Sequence, residues 1–499
     1  MNLITKRALL LGSGALIGGY FGAKYGPKVP VLDGTTSLQP EPWSKEKPIT
    51  LNDASGLSET PVHKHIIVKQ DPGQGLVSIL RDELKTAKAE GRPVSLSAAR
   101  HSMGGQSIPR DGHAITLATD MFEPDTANST FRCSSGLRWD SAIKQMDAIG
   151  FGPKVMQSNN DFGIASTFCV NAHGWPVPYS AMGSTTRSFK MLMHDGELIT
   201  CSRSENQDIF NLTMGGYGLT GLITEMDVEM VPNARLLPTF EEMSGKEFGT
   251  KFMAVLKDPT VQMAYGRMNV DKRDFFDNAL MITYRPTENQ DDLPPASGSG
   301  FVSKFARNLF RAQLGHESVK RRRWWVETDL QAKLTAGEVT RNSLINEPVV
   351  TLDDRDPTRT DILHEYFIEP SRFAEWVDVC KRVIPGSYQE LLNITLRYVA
   401  PDNEAVLSYA PVDRIACVML FSQEMTARGE ADMARMTREL IQGTAELGGA
   451  YYLPYRLHAT QDQFIQNYPA ATQFAAAKRA LDPQLLFRNA LWDTYMADL

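Results

Sequence analysis

Cysteine is scarce in this chain: five among 499 residues, at Cys133, Cys169, Cys201, Cys380 and Cys417. None stands in a CxxC pair, which removes zinc-ribbon and dithiol-redox classes, and the scatter gives no disulfide framework. They read as small buried apolar residues. Basic charge is not in excess either, since 52 Lys and Arg against 59 Asp and Glu leave a net charge of −7. That balance excludes a nucleic-acid binder, which carries a basic domain or face. Repeats at a fixed period are absent. His63 and His65 share one strand face in HKH, but no further ligand stands near them in sequence, so no metal is expected.

What is present begins with Lys6-Arg7 and an apolar, glycine-rich stretch from Ala8 to about Ala23. It is short for a spanning helix, which needs about 20 apolar residues. It suits the apolar centre of an export signal. Residues 1–25 are read as an export signal or uncleaved anchor, giving a periplasmic or membrane-anchored protein; the alternative is a buried N-terminal helix. Residues 26–60 are rich in Pro, Ser and Thr and read as a linker or as irregular chain wrapping the fold.

From residue 61 the periodicities predict a βαβ opening: a strand at 65–69, an amphipathic helix at 75–91 closed by Gly91, and a strand at 93–97. Strands at 112–118 and 129–136, a helix at 138–150, a hairpin over 190–202 turning at Asp195-Gly196, and a strand at 221–232 complete a domain ending near residue 233. Longer strands (261–270, 278–286, 362–370, 393–399, 414–422) and helices (371–383, 426–446) predict a second α+β layer over 234–455. Residues 456–499 are expected to return to the first domain. The fold class is therefore α+β. Residues 301–325 interleave Phe301, Phe305, Leu309 and Phe310 with basic residues and end in Trp324-Trp325. This predicts either a helix lying on an anionic membrane surface or a solvated lid helix.

Two glycine-bearing stretches bear on chemistry. GYGLTG, Gly216 to Gly221, fits GxGxxG but follows a helix-like run and leads into a strand, the reverse of a dinucleotide fingerprint, so it reads as a tight turn. SLSAARHSMGGQS, Ser95 to Ser107, instead ends a strand and sets a histidine among small residues. Consecutive amides there suit an anion-binding nest. With the segments 134–151, 157–174 and 194–232 in that order, the chain from about residue 60 onward resembles the flavoenzymes of the vanillyl-alcohol oxidase and p-cresol methylhydroxylase type. The resemblance implies a two-subdomain FAD-binding domain under an α+β cap. It implies FAD contacts from Arg100, His101, Ser102, Met103, Gly104, Gly105, Gln106 and Ser107 in a first loop, from Ser158, Asp161, Gly163, Ser166, Ala172, His173 and Gly174 in a second, and from Ile223 near the adenine.

His101 falls where members with a GHS motif attach the flavin's 8α-methyl carbon, although Arg100 replaces their glycine. A covalent bond through His101 is expected, the alternative being a hydrogen-bonded loop histidine. Gln157, Ser158 and Asn159 stand where doubly linked members carry a cysteine, so a single bond is expected. The segments 362–373, 393–410 and 448–487 resemble sugar-lactone oxidases and decaprenylphosphoryl-ribose oxidases, without the lysines of the latter near Leu396-Arg397 and Tyr455-Arg456. The implied activity is oxidation of a hydroxyl on a sugar, sugar lactone, polyol or sugar-lipid by hydride transfer to flavin N5. The alternatives are a dehydrogenase of phenolic or hydrophobic alcohols, and an electron-transfer partner of a membrane complex. Catalytic candidates are Tyr455, His458, Arg397, Glu365 and Asn393. His458 has the intrinsic pKa best matched to a base near neutrality, and Arg456 is the cation that would lower the Tyr455 phenol. Oxygen, quinone or cytochrome remains as acceptor. Ala172 beside the ring would limit oxygen access and favour a dehydrogenase.

Overall fold

Apolar spacing builds the opening unit as the sequence predicts. In a computed structural model describing residues 49–297, 310–330, 337–348 and 356–499, strand β1 (Lys64–Val68) is followed by helix α1 (Gln74–Glu90). Strands β2 (Val94–Ser97) and β3 (His113–Leu117) follow in turn. Leu76, Val77, Leu80, Leu84 and Ala87 line the buried side of α1, and Gly91 closes it with φ 66°. That left-handed turn suits glycine. Each such leucine, fully buried, contributes about 1.5–3 kcal/mol. The strands form a parallel sheet ordered β1-β3-β2. The expected signal at 1–25, residues 26–48 of the expected linker and residues 301–309 of the aromatic basic stretch lie outside the described residues.

A second sheet comprises β4 (Phe122–Asp125), β5 (Thr130–Ser134), β6 (Phe151–Pro153), β7 (Thr186–Leu192), β8 (Leu198–Ser202) and β9 (Leu222–Pro232). Its order is β8-β7-β9-β5-β4, with β6 on β9. Helix α2 (Trp139–Asp147) and the short helix α3 (Ile164–Cys169) pack on it. The 190–202 hairpin turns as expected through Gly196, at φ 87°. GYGLTG lies between helix α4 (Gln207–Thr213) and β9, and Gly215, Tyr217 and Gly218 all take positive φ, as a tight turn requires.

The sheet changes after Pro232. Strands β10 (Arg235–Ser244), β11 (Met263–Met268), β12 (Asn278–Pro286), β13 (Val339–Thr340), β14 (Arg359–Ile368), β15 (Glu390–Val399), β16 (Arg414–Glu424) and β17 (Ala450–Tyr451) form one antiparallel sheet. Its order is β13-β10-β12-β11-β15-β16-β14-β17. Helices α5 (Phe248–Val255), α6 (Glu317–Trp325), α7 (Phe373–Val383) and α8 (Ala427–Glu446) belong to this half. A core of Phe248, Phe252, Phe373, Trp376, Met433 and Leu440 joins α5, α7 and α8 to the sheet. Helices α9 (Gln461–Asn467) and α10 (Ala471–Leu481) begin the tail. The tail touches both halves: Phe487 bridges to Val94 and packs with α1, while Phe464 and Trp492 join the core of the large sheet.

The described part of the aromatic basic stretch turns much of its charge inward. Arg311 pairs with Asp361, Lys320 with Glu317 and Glu390, and Arg323 with Glu327, whereas Arg322 and Trp325 are exposed. Among the described residues no helix is long and apolar enough to cross a membrane.

Candidate functional site

A cavity of about 450 Å³ runs between the two N-terminal sheets and one face of the eight-stranded sheet. Strand register constructs that face. Arg267 on β11 lies opposite Thr395 on β15, Thr395 opposite Val418 on β16, and Val418 opposite Glu365 on β14. One row across four strands thus delivers a cation, a hydroxyl, an apolar side chain and a carboxylate to the cavity wall. Asn393 and Arg397, two residues either side of Thr395, share its face because successive strand residues alternate.

Facing this row are the two loops expected from the sequence. Arg100, His101, Ser102, Met103, Gln106 and Ser107 of the first line the cavity, as do Ser158, Gly163, Ser166, Ala172 and His173 of the second, and Ile223 on β9. Arg100 holds φ 52°, a left-handed conformation costing a non-glycine residue about 1–2 kcal/mol. The Arg100 guanidinium is tied by Nη1 to Thr116 Oγ1 at 3.0 Å. The His101 ring stacks on Phe162 with centroids 4.3 Å apart, and its Nε2 lies 3.6 Å from Asp161 Oδ2. Burial lowers the pKa of His101 despite Asp161, which favours neutral imidazole.

Gly104 and Gly105 of the same loop are not among the residues lining the cavity. A Cβ on Gly104 would lie 2.5 Å from the carbonyl oxygen of Tyr455, and Gly105 turns at φ 75°. The amides of Met103, Gly104 and Gly105 donate to Pro454 O, Gln106 Oε1 and Asp53 Oδ2. Gln106 Nε2 donates in turn to the carbonyls of Leu453 and Tyr455, at 2.7 and 2.8 Å. The glycines therefore fasten the first loop to the segment carrying Tyr455. Through Asp53 they also fasten it to chain that the sequence reads as linker. Gly174 is not among the lining residues either, and a Cβ there would fall 1.8 Å from Met156 O. Asp161 stands behind His101 rather than on the wall.

Among the catalytic candidates, Tyr455, Glu365, Arg397 and Asn393 meet at the cavity. The Tyr455 hydroxyl donates to Glu365 Oε2 at 3.1 Å, and Glu365 Oε1 is hydrogen-bonded to His173 Nε2. Arg397 donates to Ser158 Oγ at 2.9 Å and to His173 O at 3.3 Å, clasping the second loop. Asn393 Oδ1 accepts from Arg267 at 2.7 Å and Arg323 at 2.9 Å. Burial, and after it the Glu365 charge, pushes the Tyr455 phenol well above its usual range. Arg456 does not lower it, because that guanidinium is bound to Glu430.

His458 is the candidate that does not join the site. Its Nε2 meets Glu430 Oε1 at 2.9 Å and its Nδ1 meets Thr437 Oγ1 at 3.3 Å, both on α8. Sequence reasoning also missed Arg267, Thr395 and Tyr452 on the wall. The available signal for Arg267 is a lone arginine inside the apolar strand MAYGRM.

Six buried polar atoms on cavity-lining residues have no partner among the described residues: Arg100 Nε, Ser135 Oγ, His173 Nδ1, Trp175 Nε1, Glu347 Oε1 and Arg397 Nε. Buried polar groups are rarely left unpaired. An elongated polar ligand passing both loops and ending under the row fits these atoms, as FAD would. Cys169, also on the wall, has its thiol pushed up to about 12 by burial, so it is no thiolate nucleophile.

Comparison with known proteins agrees. Residues 77–202 match the FAD binding domain model. The chain is 20% identical to L-gulonolactone oxidase of Bos taurus over 434 residues, covering 83% of this chain and 92% of that protein. It is 26% identical to a putative D-arabinono-1,4-lactone oxidase of Neurospora crassa over 98 residues, 20% of this chain and 18% of the relative. A solvent-stable cholesterol oxidase shares the fold with TM-score 0.66 at 15% identity, over 89% of this chain and 96% of that one. So does 6-hydroxy-D-nicotine oxidase from Arthrobacter nicotinovorans, with TM-score 0.57 at 13% identity over 88% and 93%. Domain match and fold together mark the chain as an FAD-dependent oxidoreductase with a fold of the vanillyl-alcohol oxidase and p-cresol methylhydroxylase type.

Proposed function

We propose that the protein oxidises a hydroxyl group of a sugar, sugar lactone, polyol or sugar-linked lipid. The observation carrying this reading is the Tyr455–Glu365–His173 chain on the wall facing the flavin loops. Oxidising CH–OH to C=O removes a hydride and a proton; FAD, when bound, supplies the hydride acceptor. Glu365 is the proton acceptor, reached directly or through Tyr455, with His173 fixing its second oxygen. Tyr455, held neutral, donates a hydrogen bond to orient the substrate oxygen or Glu365. Arg397 and Arg267 supply the positive charge that steadies developing negative charge nearby. The lactone oxidases among the relatives support a polyhydroxylated substrate.

Anaerobic mixing with aldonolactones, polyols and free sugars is expected to bleach the flavin absorbance. Bleaching only by aromatic or sterol alcohols would contradict this reading and favour a hydrophobic substrate. The same proposal includes a single covalent bond from His101 to the flavin, supported by its neutral ring in the cavity. Acid-precipitated protein should then stay yellow and His101→Ala should release its flavin; release from the wild type refutes the bond. Export through residues 1–25, surface contact with a membrane through 301–325, and a quinone, cytochrome or oxygen as acceptor complete the proposal. Subcellular fractionation tests the location, and turnover with each acceptor tests the last step.

A further inference from the structure

We propose that His63, Glu90 and His113 form a zinc site on the outer surface of the parallel sheet, away from the flavin cavity. The sequence pairs His63 with His65, but the fold separates them. His65 Nε2 meets Thr116 Oγ1 at 2.9 Å, whereas His63, just ahead of β1, meets the end of α1 and the start of β3. His63 Nε2 lies 3.3 Å from Glu90 Oε2, and His113 Nε2 lies 2.9 Å from the same oxygen. One ligand atom from each residue falls within 4.8 Å of the others. Donors held about 2.0–2.2 Å from a tetrahedral zinc stand about 3.3 Å apart, so little movement is needed to admit the ion.

A second observation adds the carboxylate that a metal-binding imidazole usually carries on its other nitrogen. The other nitrogen of His113, Nδ1, is bonded to Glu83 Oε1 at 2.5 Å. Lys64 holds the remaining Glu83 oxygen at 2.7 Å. A metal-binding imidazole usually donates its second N–H to a carboxylate, which fixes the tautomer and leaves the other nitrogen's lone pair for the metal. Here that carboxylate is itself fixed by Lys64, so Nε2 of His113 is aimed at Glu90 and His63. The side chain of His113 is 1% exposed, while those of His63 and Glu90 are 41% and 37% exposed. One ligand is thus rigid and two can close on an arriving ion. Two imidazole nitrogens and one carboxylate oxygen form a donor set suited to zinc, with water completing the shell. Arg92 Nε, 3.6 Å from Glu90 Oε2, is the cation the metal displaces. The bound ion ties the last turn of α1 to both outer ends of β1 and β3, bracing the unit whose β2 leads into the first flavin loop.

Untagged, chelator-washed full-length protein carrying its flavin is titrated with zinc by calorimetry and followed by thermal melting. The wild type is expected to bind one equivalent and melt at higher temperature. His63→Ala and Glu90→Gln should each weaken binding at least about 10-fold, and Glu83→Gln about 10–100-fold. His63 and Glu90 are exposed, and an unchanged flavin spectrum verifies that those variants are folded. Zinc that fails to bind the wild type, or binds the wild type and both variants alike, overturns the proposal.

Discussion

At the scale of single residues, the site's chemistry turns on which polar groups face the cavity. Glu365 is held between His173 and Tyr455, and His458 is turned away onto α8. Glu365→Gln keeps the shape but removes the proton acceptor, so the rate of anaerobic flavin reduction should fall about 100-fold or more, within the usual range for general-base catalysis. His458→Ala should leave that rate within a few-fold of wild type. A severe loss in the His458 variant with little loss in Glu365→Gln would reverse the assignment. Residue type alone favoured His458, because its intrinsic pKa suits a base near neutrality. Sequence could not show that α8 offers it Glu430 and Thr437 some twenty to thirty residues earlier.

At the scale of elements, α8 and β14 enclose a second titrating group. His364 on β14 is bonded to Thr437 Oγ1 at 3.2 Å and lies near His458, ring centroids 5.7 Å apart. Burial lowers the pKa of both histidines, more than Glu430 raises them. A histidine lowered in the folded state binds its proton more readily when unfolded, so stability declines as pH falls below about 6.5. Glu430 adds loss in the same direction at still lower pH: its carboxyl is costly to bury, yet the bonds from His458 and Arg456 hold it below the ordinary carboxylate range. The melting temperature should therefore be lower at pH 5.5 than at pH 7.5, and the difference should shrink in His364→Gln. A flat or inverted profile in the wild type contradicts the pairing.

Elements with local signals were legible before the structure. Helix α1 shows its apolar period and terminal Gly91, and the hairpin shows its Asp195-Gly196 turn. The strands 278–286 and 414–422 show apolar runs close to their observed limits. What was not legible depends on pairing between distant segments. Arg267 reaches the site through Thr395, more than a hundred residues later, and Gly104 is glycine because the backbone at Tyr455 lies against it. His63 finds Glu90 and His113 only when α1 folds back along the sheet.

At the scale of the whole molecule, the N-terminal half supplies two loops and the antiparallel sheet supplies a wall, so neither half holds the site alone. Gln106 and Arg397 stitch the halves together at the cavity itself. The measurement that tests this arrangement most directly is the flavin content of the purified, folded protein, read from its visible spectrum and from titration of any flavin-free fraction with FAD. The account predicts one FAD per chain at saturation. Folded protein that is colourless and takes up no added FAD would contradict it.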